Sequence, residues 1–333
     1  MAAYTTIDNP ELYFQVALYT GNYSTQSITF DGSEDMQPDM IWIKERDGTS
    51  SHALQDSVRG TGSKIMPNSS DAESTGETAY ITAFNSDGFS IGANNGINQD
   101  GILNVAWCWK ESATAGFDIV SYTGNATNRT ISHGLSAALD FIIVKNLATT
   151  NQWCIYNRPR GAEKFIHFDV TDGESDAATV WQDTEPTSSV FSVGTSALTN
   201  GDGNGMIAYC FAPIQGFSKF SLYTGNGDAD GPFIYTGFRP AFFLYKTVDT
   251  GTEEWKILDN KRDTFNRGSQ RNLVVNHTTA ESDDTNSIGE FLSNGVKIRS
   301  SHNNINKSGD KYIFMAFAES PFVNSNGVPN NAR

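Results

Sequence analysis

Apolar residues along this chain come in short runs, some alternating with polar residues and some continuous, each bounded by clusters of Gly, Asn, Asp and Ser. Runs of that length between turn formers predict β-strands. Long helical periodicity is missing; only the stretches near Asp71-Ala72-Glu73-Ser74 and Thr279-Ala280-Glu281-Ser282 read as single helical turns. In Val105-Ala106-Trp107-Cys108-Trp109-Lys110, alternation places the large side chains at 105, 107 and 109 on one face and the small Ala106 and Cys108 on the other. Such a strand is packed on both faces, one of them tightly. Asp87-Gly88, Asn95-Gly96, Asp100-Gly101, Asn200-Gly201, Asp230-Gly231 and Asn294-Gly295 supply the turns.

The runs recur in a fixed order. Tyr19-Thr20-Gly21-Asn22 returns as Tyr122-Thr123-Gly124-Asn125 and as Tyr223-Thr224-Gly225-Asn226. After each comes an apolar run closed by lysine: Met40-Ile41-Trp42-Ile43-Lys44, Phe141-Ile142-Ile143-Val144-Lys145 and Phe242-Phe243-Leu244-Tyr245-Lys246. Each unit then closes on an aromatic strand, ending at Lys110, Ala212 and Ala318. Landmarks that keep their order three times at a period of about 100 residues indicate an internal repeat. A unit that long can hold its own core. The expected organisation is an N-terminal arm (1–12), three β-sandwich repeats of jelly-roll or lectin-like type (13–114, 115–215 and 216–322) and a C-terminal tail (323–333), an all-β antiparallel fold. The joints 111–116 and 212–216 are too short and too mixed to be flexible linkers, so the units are expected at restricted angles, as a rod or a trimer-like cluster. The arm, with its Asn9-Pro10 turn signal, is either loose or a docking segment.

Charge narrows the partners. Among 333 residues, 23 Lys and Arg face 38 Asp and Glu, a formal net charge of −15, with no local basic patch. Such a chain repels nucleic acid and anionic membranes. No apolar stretch approaches a membrane span, and the start lacks a basic segment followed by an apolar one. Cys108 and Cys210 share a repeat position that Ala316 fills in the third unit, which marks a small buried site; with Cys154 they read as inert core thiols.

Catalytic motifs are sparse. The five histidines, His52, His133, His167, His277 and His302, share no repeat position, and no nucleophile elbow or zinc-type spacing occurs. Asn226-Gly227-Asp228-Ala229-Asp230-Gly231 and Asn200-Gly201-Asp202-Gly203-Asn204-Gly205 begin like calcium loops, but Gly237 and Phe211 stand at the twelfth place where a glutamate belongs, so both read as turns. No catalytic residue, cofactor or metal is therefore predicted.

One set of positions stands out when the units are superposed: His52, Trp153 and Trp255, then Asp56, Asn157 and Asp259 four residues on, then Arg59, Arg160 and Arg262 seven on. Read as scaffold, the aromatic packs, the Asp or Asn makes a turn, and the arginine pairs with a carboxylate. Read as a ligand-contact column, the aromatic stacks on a pyranose while the other two bond its hydroxyls. In an unbroken strand the first two positions share a face and the arginine takes the other.

These landmarks resemble a family of repeat-containing proteins of tailed, chiefly marine, bacteriophages described as tail-fibre-like or virion structural proteins. The likeness lies in Met1-Ala2-Ala3-Tyr4-Thr5-Thr6-Ile7-Asp8, the repeated Tyr-Thr-Gly-Asn, Gln37-Pro38-Asp39-Met40-Ile41-Trp42-Ile43-Lys44, Asp56-Ser57-Val58-Arg59-Gly60, Trp107-Cys108-Trp109-Lys110 and the closing Tyr312-Ile313-Phe314-Met315-Ala316-Phe317-Ala318-Glu319-Ser320-Pro321-Phe322. The second and third units depart from the first at Ala138-Leu139-Asp140, without the proline, and at Ala316. The resemblance implies a non-enzymatic virion component on the particle's exterior, a fibre or spike-like appendage forming a homo-oligomer. Its expected partners are other virion proteins or a host cell-surface glycan. The alternatives are a capsid or tail decoration with a purely structural role, and a surface-polysaccharide hydrolase, which needs paired carboxylates about 5–10 Å apart.

Overall fold

The computed structural model describes residues 4–331. The chain is all-β, with antiparallel sheets in a sandwich-like arrangement and only three single-turn α-helices among the described residues, Ala178–Trp181, Ala197–Asn200 and Asn303–Asn306. Three large sheets are each drawn from one stretch of chain, and in each the last long strand runs between the first and the third. The first sheet orders Phe14–Thr20, Leu103–Trp109, Met40–Glu45 and Ala53–Asp56; the second begins Phe117–Thr123, Gly205–Phe211, Phe141–Asn146 and Cys154–Asn157; the third begins Ser218–Thr224, Lys311–Pro321, Phe238–Thr247 and Lys256–Asp259. Registers correspond: Trp107 lies between Val16 and Trp42, Tyr209 between Ile119 and Ile143, and Met315 between Phe220 and Leu244. A smaller sheet accompanies each, such as Gln26–Ile28, Phe89–Ile91 and Ile81–Phe84 beside the first.

Both faces of each large sheet are buried, for the reason the alternation predicts. In the first, Ala17, Ile41, Ala106 and Cys108 pack on Ile28, Ile81, Phe89 and Ile91 of the smaller sheet. The opposite side chains, Phe14, Val16, Trp42, Trp107 and Trp109, enter a core shared with the other two large sheets. There Trp109, Phe211 and Phe317 converge, with Phe317 5.7 Å from Trp109 and 6.0 Å from Phe211. The three sheets therefore form a cluster around a common aromatic centre, which no single one could enclose. All three cysteines are free and buried, and burial raises each thiol well above its ordinary value.

Two local expectations are corrected. The stretches near 71–74 and 279–282 are not helical turns: they lead into the short strands Ser74–Thr75 and Ser282–Asp284. Glu73 N donates to Leu147 O and Glu281 N to Arg46 O, bonds to neighbouring sheets that hold the backbone extended. The arm is not loose over its described part. Asn9 caps the 3₁₀ turn Pro10–Leu12, Ile7 is buried in the shared core, Thr5 Oγ1 donates to Gln215 O (2.8 Å) and Tyr4 OH to Gly237 O (2.9 Å). The tail folds back through the Val323–Pro329 bridge, and Ser325 N donates to Asp8 Oδ1 at 2.6 Å, tying the two end segments together. Residues 1–3 and 332–333 of the arm and tail lie outside the described residues.

Candidate functional site

Seven of the nine residues singled out from the sequence are buried, and Arg59 and Arg160 are partly exposed. His52, Trp153 and Trp255 are fully buried, and each bonds the backbone of a neighbouring unit. Trp153 Nε1 donates to Met66 O (3.1 Å) and Ser69 O (3.0 Å); Trp255 Nε1 donates to His167 O (2.8 Å); His52 Nε2 lies 3.0 Å from Val274 O. The second unit thus leans on the first, the third on the second and the first on the third. The contacts close a ring.

His52 fits its place only as a neutral ring. Trp42 Nε1 donates to its Nδ1 (2.8 Å), so Nδ1 carries no proton and Nε2–H donates to Val274 O. Burial, reinforced by Lys44, pushes its pKa down to about 3. With all three rings enclosed, none offers a face to a pyranose, and the ligand-contact reading of this column gives way to the scaffold one.

The acid and arginine positions repeat two of the three contacts of that ring. Asp56 is fully buried; its carboxylate accepts from Arg59 Nε (2.6 Å) and from Tyr209 OH of the second unit (2.7 Å). Asp259 accepts from Arg262 Nε (2.5 Å) and from Trp107 Nε1 of the first unit (3.0 Å). The arginines do not cross to the other sheet face: the strands stop at Asp56 and Asp259, and the following turn brings the guanidinium back three residues. The middle member breaks the pattern. Asn157 stands where the acid belongs and Met315 where Tyr209 and Trp107 stand, so no donor is offered. Both polar atoms of the Asn157 side chain are buried without a partner among the described residues, and Arg160 pairs with Glu174 instead.

A different repeated place is open. Where one large sheet gives way to the next, the residues two beyond Trp109, Phe211 and Phe317 are Glu111, Pro213 and Glu319, the last still within its strand, and those four before the repeated tyrosine are Gln15, Asp118 and Lys219. At the first joint Glu111 N donates to Asp39 Oδ2 (2.8 Å); burial and a hydrogen bond with Asp118 raise the Glu111 carboxyl to about 7. Where the third unit meets the first, Gln15 Nε2 donates to Glu11 O and Glu34 O (both 3.0 Å), beside a hollow of about 30 Å³. At the second joint a cleft of about 540 Å³ opens instead. Its lining includes Asp140 and Arg158, paired at 2.6 Å, with Tyr235, Gly237, Lys219 and Tyr4.

A family profile described as Domain of unknown function (DUF7483) matches residues 9–321. The chain belongs to that family. No curated protein and no solved structure matches it. The DUF7483 match runs from the cap of the first 3₁₀ turn to the end of the last long strand, so the family is defined over the whole ring of sheets and not over one unit.

The roles of several residues that position this DUF7483 scaffold escaped the sequence reading. Lys44, Lys145 and Lys246 are fully buried, and each ammonium donates to two backbone carbonyls: Glu45 and Gly48, Ser70 and Asn151, Thr247 and Thr250. Burial lowers all three to about 8. Asn98, Asn200 and Asn306, also fully buried, explain the Tyr-Thr-Gly-Asn motif. Their side-chain oxygens accept from N of Asn22, Asn125 and Asn226 at 2.8–3.0 Å. The motif glycines press on the adjoining loop: a Cβ on Gly21, Gly124 or Gly225 would sit 2.1, 2.0 or 2.2 Å from a backbone oxygen.

Proposed function

We propose that the chain is a non-enzymatic structural protein of a bacteriophage virion, a tail-fibre or spike-like appendage on the particle exterior that binds the host surface or another virion protein. The observation that carries this reading is the commitment of the repeated polar residues to the scaffold: apart from Asn157, the aromatic, acid, arginine, lysine and asparagine positions bond neighbouring units or fix loops within their own. A closed ring with one aromatic centre suits a rigid assembly part, and a net charge of −15 keeps many copies soluble. The assignment to a phage particle rests on the resemblance of the sequence motifs alone. A decoration docked through residues 1–12 draws no support from the geometry, because residues 4–12 are engaged within the chain.

Electron microscopy of intact virions, with the purified protein tested for adsorption to host cells, checks the proposal. The expected outcome is density at a fibre or tail tip and saturable adsorption. Absence from the purified particle would overturn it; regular density over the head or tail shaft without adsorption would replace the appendage by a decoration subunit.

A further inference from the structure

We infer that the cleft at the second joint binds a carboxylate-bearing sugar ring of the uronic-acid class. The inference rests on the host-binding reading above and names the ligand class of that surface.

Comparison of the three joints carries the argument. Scaffold positions keep their chemistry around the ring; a site used once diverges. The first joint gathers Asp39, Glu111 and Asp118, and the third places Gln15 and Glu319. In the second, glutamate is replaced by Pro213 and the tyrosine-minus-four residue by Lys219. Both changes move the local charge in one direction. Asp140 and Arg158 neutralise one another, which leaves Lys219 in surplus. Among the described residues Lys219 has no carboxylate partner; its ammonium donates to Tyr235 O (2.8 Å) and keeps two N–H groups for a ligand. A surplus cation in a recess of a chain carrying −15 favours an anion there.

The walls select the rest of the ligand. Tyr235 is about half exposed, at 48%, and its ring is held by Lys219 5.2 Å from the centre and by Tyr4 OH 3.1 Å from its hydroxyl. A fixed, half-open aromatic beside a cation suits a flat apolar ring face with a carboxylate at its edge. The Asp140 and Arg158 pair in the same lining offers an acceptor and donors to ring hydroxyls. The volume lies in the range of small-ligand sites, roughly 300–1,000 Å³. Free sulfate or phosphate would engage Lys219 but not Tyr235, and a neutral sugar the reverse.

The test titrates the full chain with oligogalacturonate, with the same oligosaccharide methyl-esterified, and with inorganic sulfate, by calorimetry and by fluorescence. Saturable binding of oligogalacturonate is expected, weakened at least about tenfold by esterification or by Lys219→Gln and several-fold by Tyr235→Ala. Equal binding of the esterified ligand, unchanged binding by Lys219→Gln, sulfate binding as tight as the saccharide, or no binding at millimolar concentration would each overturn the inference. The esterified ligand tests the wild type and so needs no folded variant. Host adsorption that persists undiminished in Lys219→Gln would remove the cleft while leaving the proposed function standing; loss of the protein from the virion would remove the proposed function whatever the cleft binds.

Discussion

Asp56 and Asn157 hold corresponding positions, one charged and partnered and the other neutral and without a partner among the described residues, so removing the polar group should have opposite effects at the two. At Asp56 the buried carboxylate holds Arg59 at 2.6 Å and accepts from Tyr209 OH at 2.7 Å. Asp56→Asn removes the charge opposite a buried guanidinium, whose remaining acid is Glu73 at 2.8 Å. Breaking one side of a buried pair costs about 3–5 kcal/mol, and the retained Glu73 contact puts the expected loss near the lower end. Tyr209→Phe deletes the bond to that carboxylate and the bond that Tyr209 OH accepts from Arg59 Nη2 (3.2 Å), each a hydrogen bond to a charged group worth about 1.5–3 kcal/mol. In a double-mutant cycle the two losses should fall short of additivity by about 1 kcal/mol or more, since they share the bond. Asn157→Leu is nearly isosteric and removes two polar atoms that are buried without partners. Replacing such groups by apolar ones is neutral or stabilising, by up to about 1–2 kcal/mol. Urea unfolding followed by the fluorescence of the six tryptophans measures all four variants, with an unchanged m-value as the check that one transition is compared. A loss above about 1 kcal/mol for Asn157→Leu, or none for Asp56→Asn, would refute the account of the ring.

Gly124→Ala should destabilise by about 2 kcal/mol or more, because its Cβ would lie 2.0 Å from Gly201 O; thermal unfolding reads this, and a wild-type midpoint would contradict it. His52 has its folded-state pKa lowered to about 3 against about 6.5 when unfolded, so the unfolded chain gains a proton first as pH falls and stability drops from pH 6.5 towards 3. His52→Gln should flatten the pH dependence of the unfolding free energy in that window, and an unaltered slope would show that the ring titrates in the folded state. Deletion of residues 1–12 strips Ile7 from the core and the Tyr4, Thr5 and Asp8 bonds, so the melting temperature should fall by several degrees; an unshifted transition would mean the arm contributes nothing to the fold.

Much of this architecture is legible in the sequence, and the exceptions have physical causes. Alternation in Val105 to Trp109 signals burial on both faces because two cores of different depth impose two side-chain sizes on one strand. The aromatic, acid and arginine column is visible because its spacing of four and seven is kept within one strand and its turn. Its role is not visible, since a buried tryptophan that bonds a neighbouring carbonyl and an exposed one that stacks on a sugar have the same spacing. Asn98, Asn200 and Asn306 stayed hidden for the opposite reason: they follow the repeated tyrosines by 79, 78 and 83 residues, because the intervening loops differ in length. The lysine ending each apolar run looks like a solvated strand end, yet it folds back on loop carbonyls that only the tertiary structure supplies.

Ring closure also bears on where function can reside. In an arrangement whose third-to-first contact repeats the first-to-second and second-to-third ones, any residue needed for closure is constrained at three places at once, and Asn157 with Met315 shows what one lapse leaves behind. A ligand site is under no such constraint and needs to arise only once. Positions that are alike around the ring therefore report on assembly, and positions that differ at a matching place are where specificity can be sought. By that criterion the second joint, with Pro213 and Lys219 against the carboxylates and Gln15 of the other two, is distinguished by the pattern of its neighbours as much as by its own shape.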